Sequence, residues 1–376
     1  MVCKRLRIFA NRIVYRHHQK ELVFMKVIIA IDSFKGCMSS TEANQAAAEG
    51  VRSVCPDAEI IQVPVSDGGE GFLEAFRAAI GGDTVEVVVR DPLMRPVVAK
   101  YLLQGETAVI EIAQASGLTL LTENERNPLV ATSYGTGQMV ADAVRHGARH
   151  LIVGLGGSAT SDAGMGMLRA LKDAFAKDGT WDDIKELKAV RFTIASDVKN
   201  PLCGENGAAH VFAPQKGATA EMVLQLDERA RKFADCSAKH FGYDRSTMEA
   251  AGAAGGLGYA FLEYLDSSCK SGIQMLLDTI RFRELAHDAD LIITGEGTAD
   301  HQTLMGKLPM GILEHAEGTP VALIAGRISD RDRLLQAGFT HVECINPPDI
   351  ALAEAMRKEV ARYNIIQTVY HLLTHQ

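Results

Sequence analysis

The run Met25-Lys-Val-Ile-Ile-Ala-Ile-Asp32-Ser-Phe-Lys-Gly36 decides the fold. Val27 to Ile31 is an apolar, mostly β-branched stretch that stops at an acid, a hydroxyl, a lysine and a glycine. A short unbroken apolar run of this kind reads as a strand buried on both faces. Behind it, Thr41–Val54 is alanine-rich with Ser39 or Ser40 in front, which predicts a capped helix. Glu59–Val63 reads as a second strand and Gly71–Ile80 as a second helix. Strand, helix, strand, helix implies parallel strands joined by right-handed crossovers.

Further along, the pattern changes. Thr84–Val89, Val97–Leu103 and Thr107–Ile112 are three strand-like runs separated by turn signals, Asp91-Pro92 and Gly105, with no helix between them. That spacing predicts an antiparallel meander. A helix over about Thr136–His146 leads to a strand at His150–Val153, then a helix to about Lys177, a strand at Val190–Ala195 and a long helix at Ala220–Phe241. Strands at Leu291–Thr294, Val321–Ala325 and His341–Cys344, with helices between, restore the opening pattern. Ile350–Leu373 is expected to close the chain as one amphipathic helix, with Leu352, Met356, Val360, Tyr363, Ile366 and Leu373 along its buried stripe. The expected organisation is a discontinuous α/β domain over 25–87 and 286–376, with 88–285 inserted as a second α/β domain.

Composition narrows the function. The chain has 376 residues, 47% of them hydrophobic, which is enough to bury a large core. A formal charge of −8 argues against a nucleic-acid partner, because phosphate neutralisation needs a basic face. Seven scattered cysteines with no C-x-x-C pair fit reduced thiols in a cytoplasmic protein rather than a disulfide or zinc framework. No apolar stretch reaches the ~18 residues of a membrane span. Residues 1–24 stand apart, with six basic residues against Glu21 alone. Met25 opens the first strand as a natural first residue would, so residues 1–24 read as a dispensable extension.

Several generic motifs are missing: no Walker-type G-x-x-x-x-G-K-[ST], no H-E-x-x-H, no G-x-S-x-G and no kinase H-R-D or D-F-G pair. Gly154-Leu-Gly156-Gly-Ser-Ala159 fits a dinucleotide fingerprint, but the acid at the right distance, Asp173, falls inside an expected helix. What the chain does have is a set of strand-end loops mixing glycine, hydroxyl, acid and lysine. They are Asp32-Ser33-Phe-Lys35-Gly, Ser66-Asp67-Gly68-Gly69-Glu70-Gly, Ser133-Tyr-Gly135-Thr136-Gly, Gly156-Gly157-Ser158 running on to Asp162, Ser196-Asp197, Pro214-Gln-Lys216-Gly, and Glu296 with Asp300-His-Gln302 and Lys307. Any one loop is ordinary turn chemistry. Together, at the carboxyl ends of strands, they suit an anionic ligand: glycine lets backbone N–H groups approach, helix starts add positive charge, lysines meet phosphate and carboxylates suit Mg²⁺. The loop chemistry points to phosphoryl transfer.

These blocks, in this order, resemble the type I glycerate kinase family, and the resemblance runs from Met25 almost to the end. It implies two α/β domains, one Rossmann- or flavodoxin-like and discontinuous, the other a mixed-sheet insertion, with the active site in the cleft between. It also implies ATP- and Mg²⁺-dependent phosphorylation of D-glycerate, with 2-phosphoglycerate favoured over 3-phosphoglycerate as product. On that reading Asp197, Asp300, Lys307 and Lys35 are the catalytic candidates, with Asp197 and Asp300 as base and metal ligand. Ser33, Asp67, Gly68, Gly69, Glu70, Ser133, Gly135, Thr136, Gly156, Gly157, Ser158, Asp162, Lys216, Glu296 and Gln302 are the substrate- and phosphate-binding candidates. The expected partners are glycerate and ATP, in the cytoplasm, with neither nucleic acid nor membrane; a homodimer is allowed for. The chain departs from the family pattern at Thr298-Ala299, where Arg-Ile is usual, and at Ser161-Asp162-Ala163, where Asn-Asp-Gly is usual. A kinase for a related sugar acid and a non-catalytic ligand-binding relic are the alternatives.

Overall fold

The structure is a computed structural model that describes residues 25–374; the expectation about residues 1–24 lies outside the described residues. In chain order the strands are β1 (Lys26–Ile31), β2 (Glu59–Gln62), β3 (Asp83–Arg90), β4 (Pro96–Gln104), β5 (Thr107–Glu111), β6 (His150–Gly154), β7 (Arg191–Ala195), β8 (Ser268–Lys270), β9 (Leu291–Ala299), β10 (Val321–Ile328) and β11 (His341–Cys344). They form two sheets, ordered β11-β10-β9-β1-β2 and β3-β4-β5-β6-β7-β8. The chain divides accordingly into two compact units, one running up to Val65 and resuming at Arg281, the other spanning Ser66–Ile280.

In the first unit every strand pairing is parallel. β1 lies between β2 and β9, so the chain leaves β1 to one side and the later strands build out on the other. That reversal makes a crevice at the carboxyl ends of β1 and β9, where open α/β sheets place ligands. The helix Ser40–Val54 begins with a full capping box: Ser39 accepts from the Glu42 amide while Glu42 accepts from the Ser39 amide. Its Asn44, fully buried, accepts from the Ile31 amide and donates to the Val63 carbonyl, tying β1 to the segment after β2.

The two ends of this unit depart from the sequence reading. β9 does not stop at Thr294 but continues to Ala299, because β10 continues alongside it, with Glu296 opposite Ala325 and Thr298 opposite Arg327. Glu296 is therefore a strand residue, not a turn residue. The single closing helix is instead a short helix, Leu352–Ala355, followed by Lys358–Thr374. Leu352, Met356 and Tyr363 are exposed; Ala361, Ile365, Val369 and Leu372 are buried. The expected stripe was set by Leu352 and Met356, which precede the long helix. The real stripe is set by the fit against the helix Ser40–Val54, where a Cβ on Gly50 would meet Val369 Cβ at 2.8 Å.

In the second unit β3, β4 and β5 form the antiparallel meander, and β5 to β8 continue the sheet in parallel. The helix Phe72–Ile80 belongs here rather than with β1 and β2, as a boundary at residue 87 would have it. Its Leu73 amide donates to Glu111 at the carboxyl end of β5. The core is an aliphatic and aromatic cluster built on Tyr101, Ile110, Leu151, Val153, Phe192 and Ile194 from the sheet, with Tyr259 and Phe261 from the helix Ala253–Leu265.

Candidate active site

Each unit gathers its chemistry at the carboxyl ends of its strands. In the first, the Asp32 amide donates to the Gly295 carbonyl at 2.9 Å, which draws the loop after β1 onto β9. Asp32 turns the loop by accepting from the Ser33 amide, and the buried Ser33 hydroxyl has no hydrogen-bond partner among the described residues. Lys35 is exposed. Glu296 is buried and accepts from the Thr303 hydroxyl at 2.6 Å; that hydroxyl also accepts from the Asp300 amide. Asp300 accepts from the Gln302 amide, and Lys307 Nζ stands 4.0 Å from its carboxylate. A carboxylate, a lysine and an unpartnered hydroxyl thus lie on the loops after the two switch-point strands. The neighbouring His301 faces Asp330, its amide donating at 2.9 Å and its ring Nδ1 lying 3.8 Å from the carboxylate.

The second unit brings together loops far apart in sequence. The Gly156 amide donates to the Gly68 carbonyl, and a Cβ on Gly156 would sit 2.2 Å from Gly69 Cα, so the crossing requires glycine at 156. Gly68 has φ of +106°, a conformation that favours glycine, and a Cβ there would press on the Ala195 carbonyl oxygen at 3.0 Å. Gly272, at the start of the helix Gly272–Thr279, packs on the Asp67 carbonyl. Asp67 and Asp197 share this neighbourhood. Asp197 is open to solvent, yet the surrounding protein raises its pKa, and the charge of Asp67 adds to the rise while the Ser271 hydroxyl opposes it. Glu70 is exposed beside them.

A buried polar frame supports these loops. Asp162 accepts from the Ser133 amide and hydroxyl at 2.8 and 2.9 Å, and from the Gly164 and Gly166 amides at 3.1 Å. Thr136 is fully buried against Ser116, and a Cβ on Gly135 would strike the Arg90 carbonyl at 1.8 Å. The polar side-chain atoms of Ser133 and Asp162 are taken up by one another and by the Gly164, Gly166 and Met167 amides. Lys216 is also buried, with Nζ donating to Ser158 Oγ at 2.8 Å and to the Thr160 carbonyl at 2.6 Å. Burial lowers its pKa to about 7, with Asp162 pulling the other way. Around it the buried hydroxyls of Thr160 and Ser161 have no partner among the described residues.

Two features escaped the sequence reading. Glu111 is 5% exposed at the end of β5, and burial raises its carboxyl to about 7, assisted by Glu70 and Glu74 and opposed by the Leu73 amide. The only signal for it is an acid closing a β-branched run. Arg327 stands opposite Thr298 in the β9–β10 register, so a guanidinium is present on the neighbouring strand although position 298 lacks one.

Among the described residues no three His, Cys, Asp or Glu side chains are grouped to hold a metal, and no helix is long and apolar enough to cross a membrane. Loops that pair glycine N–H groups and hydroxyls with carboxylates and lysines, in each of two α/β units, suit the handling of phosphate. Comparison with known proteins carries this further. The glycerate kinase family profile matches residues 27–374. A glycerate kinase of Bacillus subtilis is 42% identical over 355 residues, 88% of this chain and 93% of the relative. A glycerate 2-kinase of Escherichia coli is 41% identical over 328 residues, 81% and 86% respectively. Among solved structures, a glycerate kinase 2 from Salmonella typhimurium superposes with a TM-score of 0.77 at 36% identity, covering 94% of this chain and 98% of that one. The chain belongs to the glycerate kinase family and is an enzyme of the kinase class.

Proposed function

We propose that the protein transfers the γ-phosphoryl group of ATP to D-glycerate in the cytoplasm, with Mg²⁺, giving 2-phosphoglycerate. The observation that carries this is the juxtaposition of Asp67, Asp197, the Gly68–Gly69 and Gly156–Gly157 backbones and the start of the helix Gly272–Thr279. Backbone N–H groups at a glycine crossing and a helix N-terminus hold phosphate oxygens, and a carboxylate nearby can take a proton. The 2-phosphate is favoured because the Escherichia coli relative is a glycerate 2-kinase.

The donor set fits Mg²⁺. The ion asks for one or two carboxylates and completes its shell with phosphate and water, and Asp300, at the end of β9 with Lys307 Nζ 4.0 Å away, would supply one. When bound it neutralises charge on the transferring group. The protein's own residues do the rest. The glycerate hydroxyl loses a proton as it attacks phosphorus; a carboxylate with a raised pKa, Asp197, suits that role, and Asp300 is the second acid of the reaction. Lys35 and Lys307 supply cations, and Ser33, Glu70, Ser158, Glu296 and Gln302 orient substrate. Ser133, Gly135, Thr136 and Asp162 are assigned to the frame that fixes the loops, since their polar atoms are already used. Lys216 stiffens the Ser158–Thr160 loop from behind. Following ADP release with D-glycerate, tartrate and erythronate in turn, and the product by phosphorus NMR, tests the reading. Turnover with another sugar acid alone would replace it with the related-kinase reading, and no acid-dependent turnover would leave a binding protein.

A further inference from the structure

The second unit has a cavity that the proposed reaction does not use. It is a half-open pocket of about 500 Å³ in the second unit, lined by the segment 181–192 and the carboxyl ends of the helices Ala220–Phe241 and Ala253–Leu265. Its place is the amino end of β7, at Val190, Arg191 and Phe192, whereas Asp197 follows the carboxyl end. A five-residue strand at about 3.3 Å per residue separates the two. The volume is that of an ordinary small-molecule site.

Its wall is aromatic. Trp181 stands edge-on to Tyr264 with ring centroids 5.2 Å apart, and Phe241 meets the same ring at 4.9 Å. Its charges are unequally matched. Asp182 turns to His240 at 3.2 Å and Asp266 is held by Arg245 at 2.7 Å. Lys188 and Arg191 also line the cavity, are exposed, and form no ion pair among the described residues. An aromatic wall with two uncommitted cations complements a flat ring that carries an acid group: the ring packs edge or face on Trp181 and Tyr264, and the acid meets the cations.

We propose that this cavity is a second, non-catalytic site for a planar aromatic anion. An aromatic carboxylic acid and a nucleoside monophosphate share that chemistry, and the two are separated by experiment. Trp181 is the only tryptophan in the chain, so its fluorescence reports on the cavity directly. Benzoate and AMP are titrated against the full-length protein, each beside its neutral counterpart, benzamide or adenosine. Saturable quenching by an anion and not by its neutral counterpart is expected, and the tighter arm identifies the source. The double variant Lys188→Met/Arg191→Met should weaken that binding by ~10-fold or more while leaving kinase turnover unchanged. Both side chains are exposed, and the two single variants, each expected to weaken binding in part, repeat the test should the double variant fold poorly. Absence of saturable quenching by either anion, equal quenching by the neutral compounds, or quenching that the substitutions leave intact would overturn the proposal.

Discussion

Asp197 and Asp67 lie close enough that the charge of one raises the pKa of the other. If Asp197 is the base, the acidic limb of the kcat/KM profile sits above the ordinary carboxylate range, because only the ionised form accepts the proton. Removing the neighbouring charge in Asp67→Asn should then move that limb part of the way to lower pH, because desolvation by the surrounding protein is the larger cause of the rise; a wild-type limb at or below the ordinary carboxylate range would separate Asp197 from the proton transfer. Asp197→Asn and Asp300→Asn are nearly isosteric and remove charge without removing volume. Each is expected to keep the native circular dichroism spectrum and lose at least ~10²-fold in kcat; turnover within a few-fold of wild type in both would remove them from the chemistry. Asp162 is the opposite kind of residue. Five donors converge on its buried carboxylate, the Thr132 hydroxyl among them, so Asp162→Ala strands them and should cost about 3 kcal/mol or more in urea unfolding. A loss under about 1 kcal/mol would mean those donors find other partners. In the sequence Asp162 and Asp197 look alike, each an acid in a loop after a strand. What separates them is burial and the count of N–H groups aimed at the carboxylate, which depends on loops distant in the chain. Lys216 was legible as a lysine in a glycine-flanked loop, but its burial was not, because the residues enclosing it come from 158 to 160.

The helix Phe72–Ile80 starts at Gly71 in the left-handed region, with no side chain from its own segment capping it. Glu111 takes that place from the end of β5, accepting from the Leu73 amide. Its folded pKa of about 7 lies above its ordinary 4.5, so the folded state keeps the proton longer than the unfolded chain. The stability this supplies is complete below about pH 4.5 and is lost as pH rises through about 7. Glu111→Gln keeps an acceptor for Leu73 and does not titrate. Melting temperatures measured from pH 4.5 to 8 should show wild type losing ground to the variant as pH rises; parallel curves would show that Glu111 ionises freely in the fold. Most elements were legible because their patterns are local: the capping box at Ser39, the alanine-rich helix behind it, the alternation in β3 and β4. The failures were of another kind. β9 runs on through Gly295-Glu296-Gly297 because β10 offers hydrogen bonds there, which outweighs the turn chemistry of two glycines. The closing helix presents Ala361, Ile365 and Val369 inward because Gly50 leaves a groove for them, and nothing in residues 350–373 announces that groove.

At the scale of the whole chain, parallel order was readable from strand–helix alternation, and the pairing of β1 with β9 across more than two hundred residues followed from the return of that alternation at Leu291. The edge between the units was less legible, since α/β alternation persists through Phe72–Ile80 while its contacts change sheets. Five of the seven loops, each weak alone, follow strands, after β1, β2, β6, β7 and β9, while those at Ser133 and Pro214 follow helical turns. In each unit the carboxyl ends of the strands are the edge to which the proposed phosphoryl transfer is assigned. The most direct test is a coupled assay of ADP formation by the purified full-length protein with ATP and Mg²⁺, with and without D-glycerate, and phosphorus NMR of the product. ADP formation that depends on both D-glycerate and Mg²⁺ and yields 2-phosphoglycerate is the expected result. ADP formation indifferent to D-glycerate, or none at all with the protein folded, would contradict it.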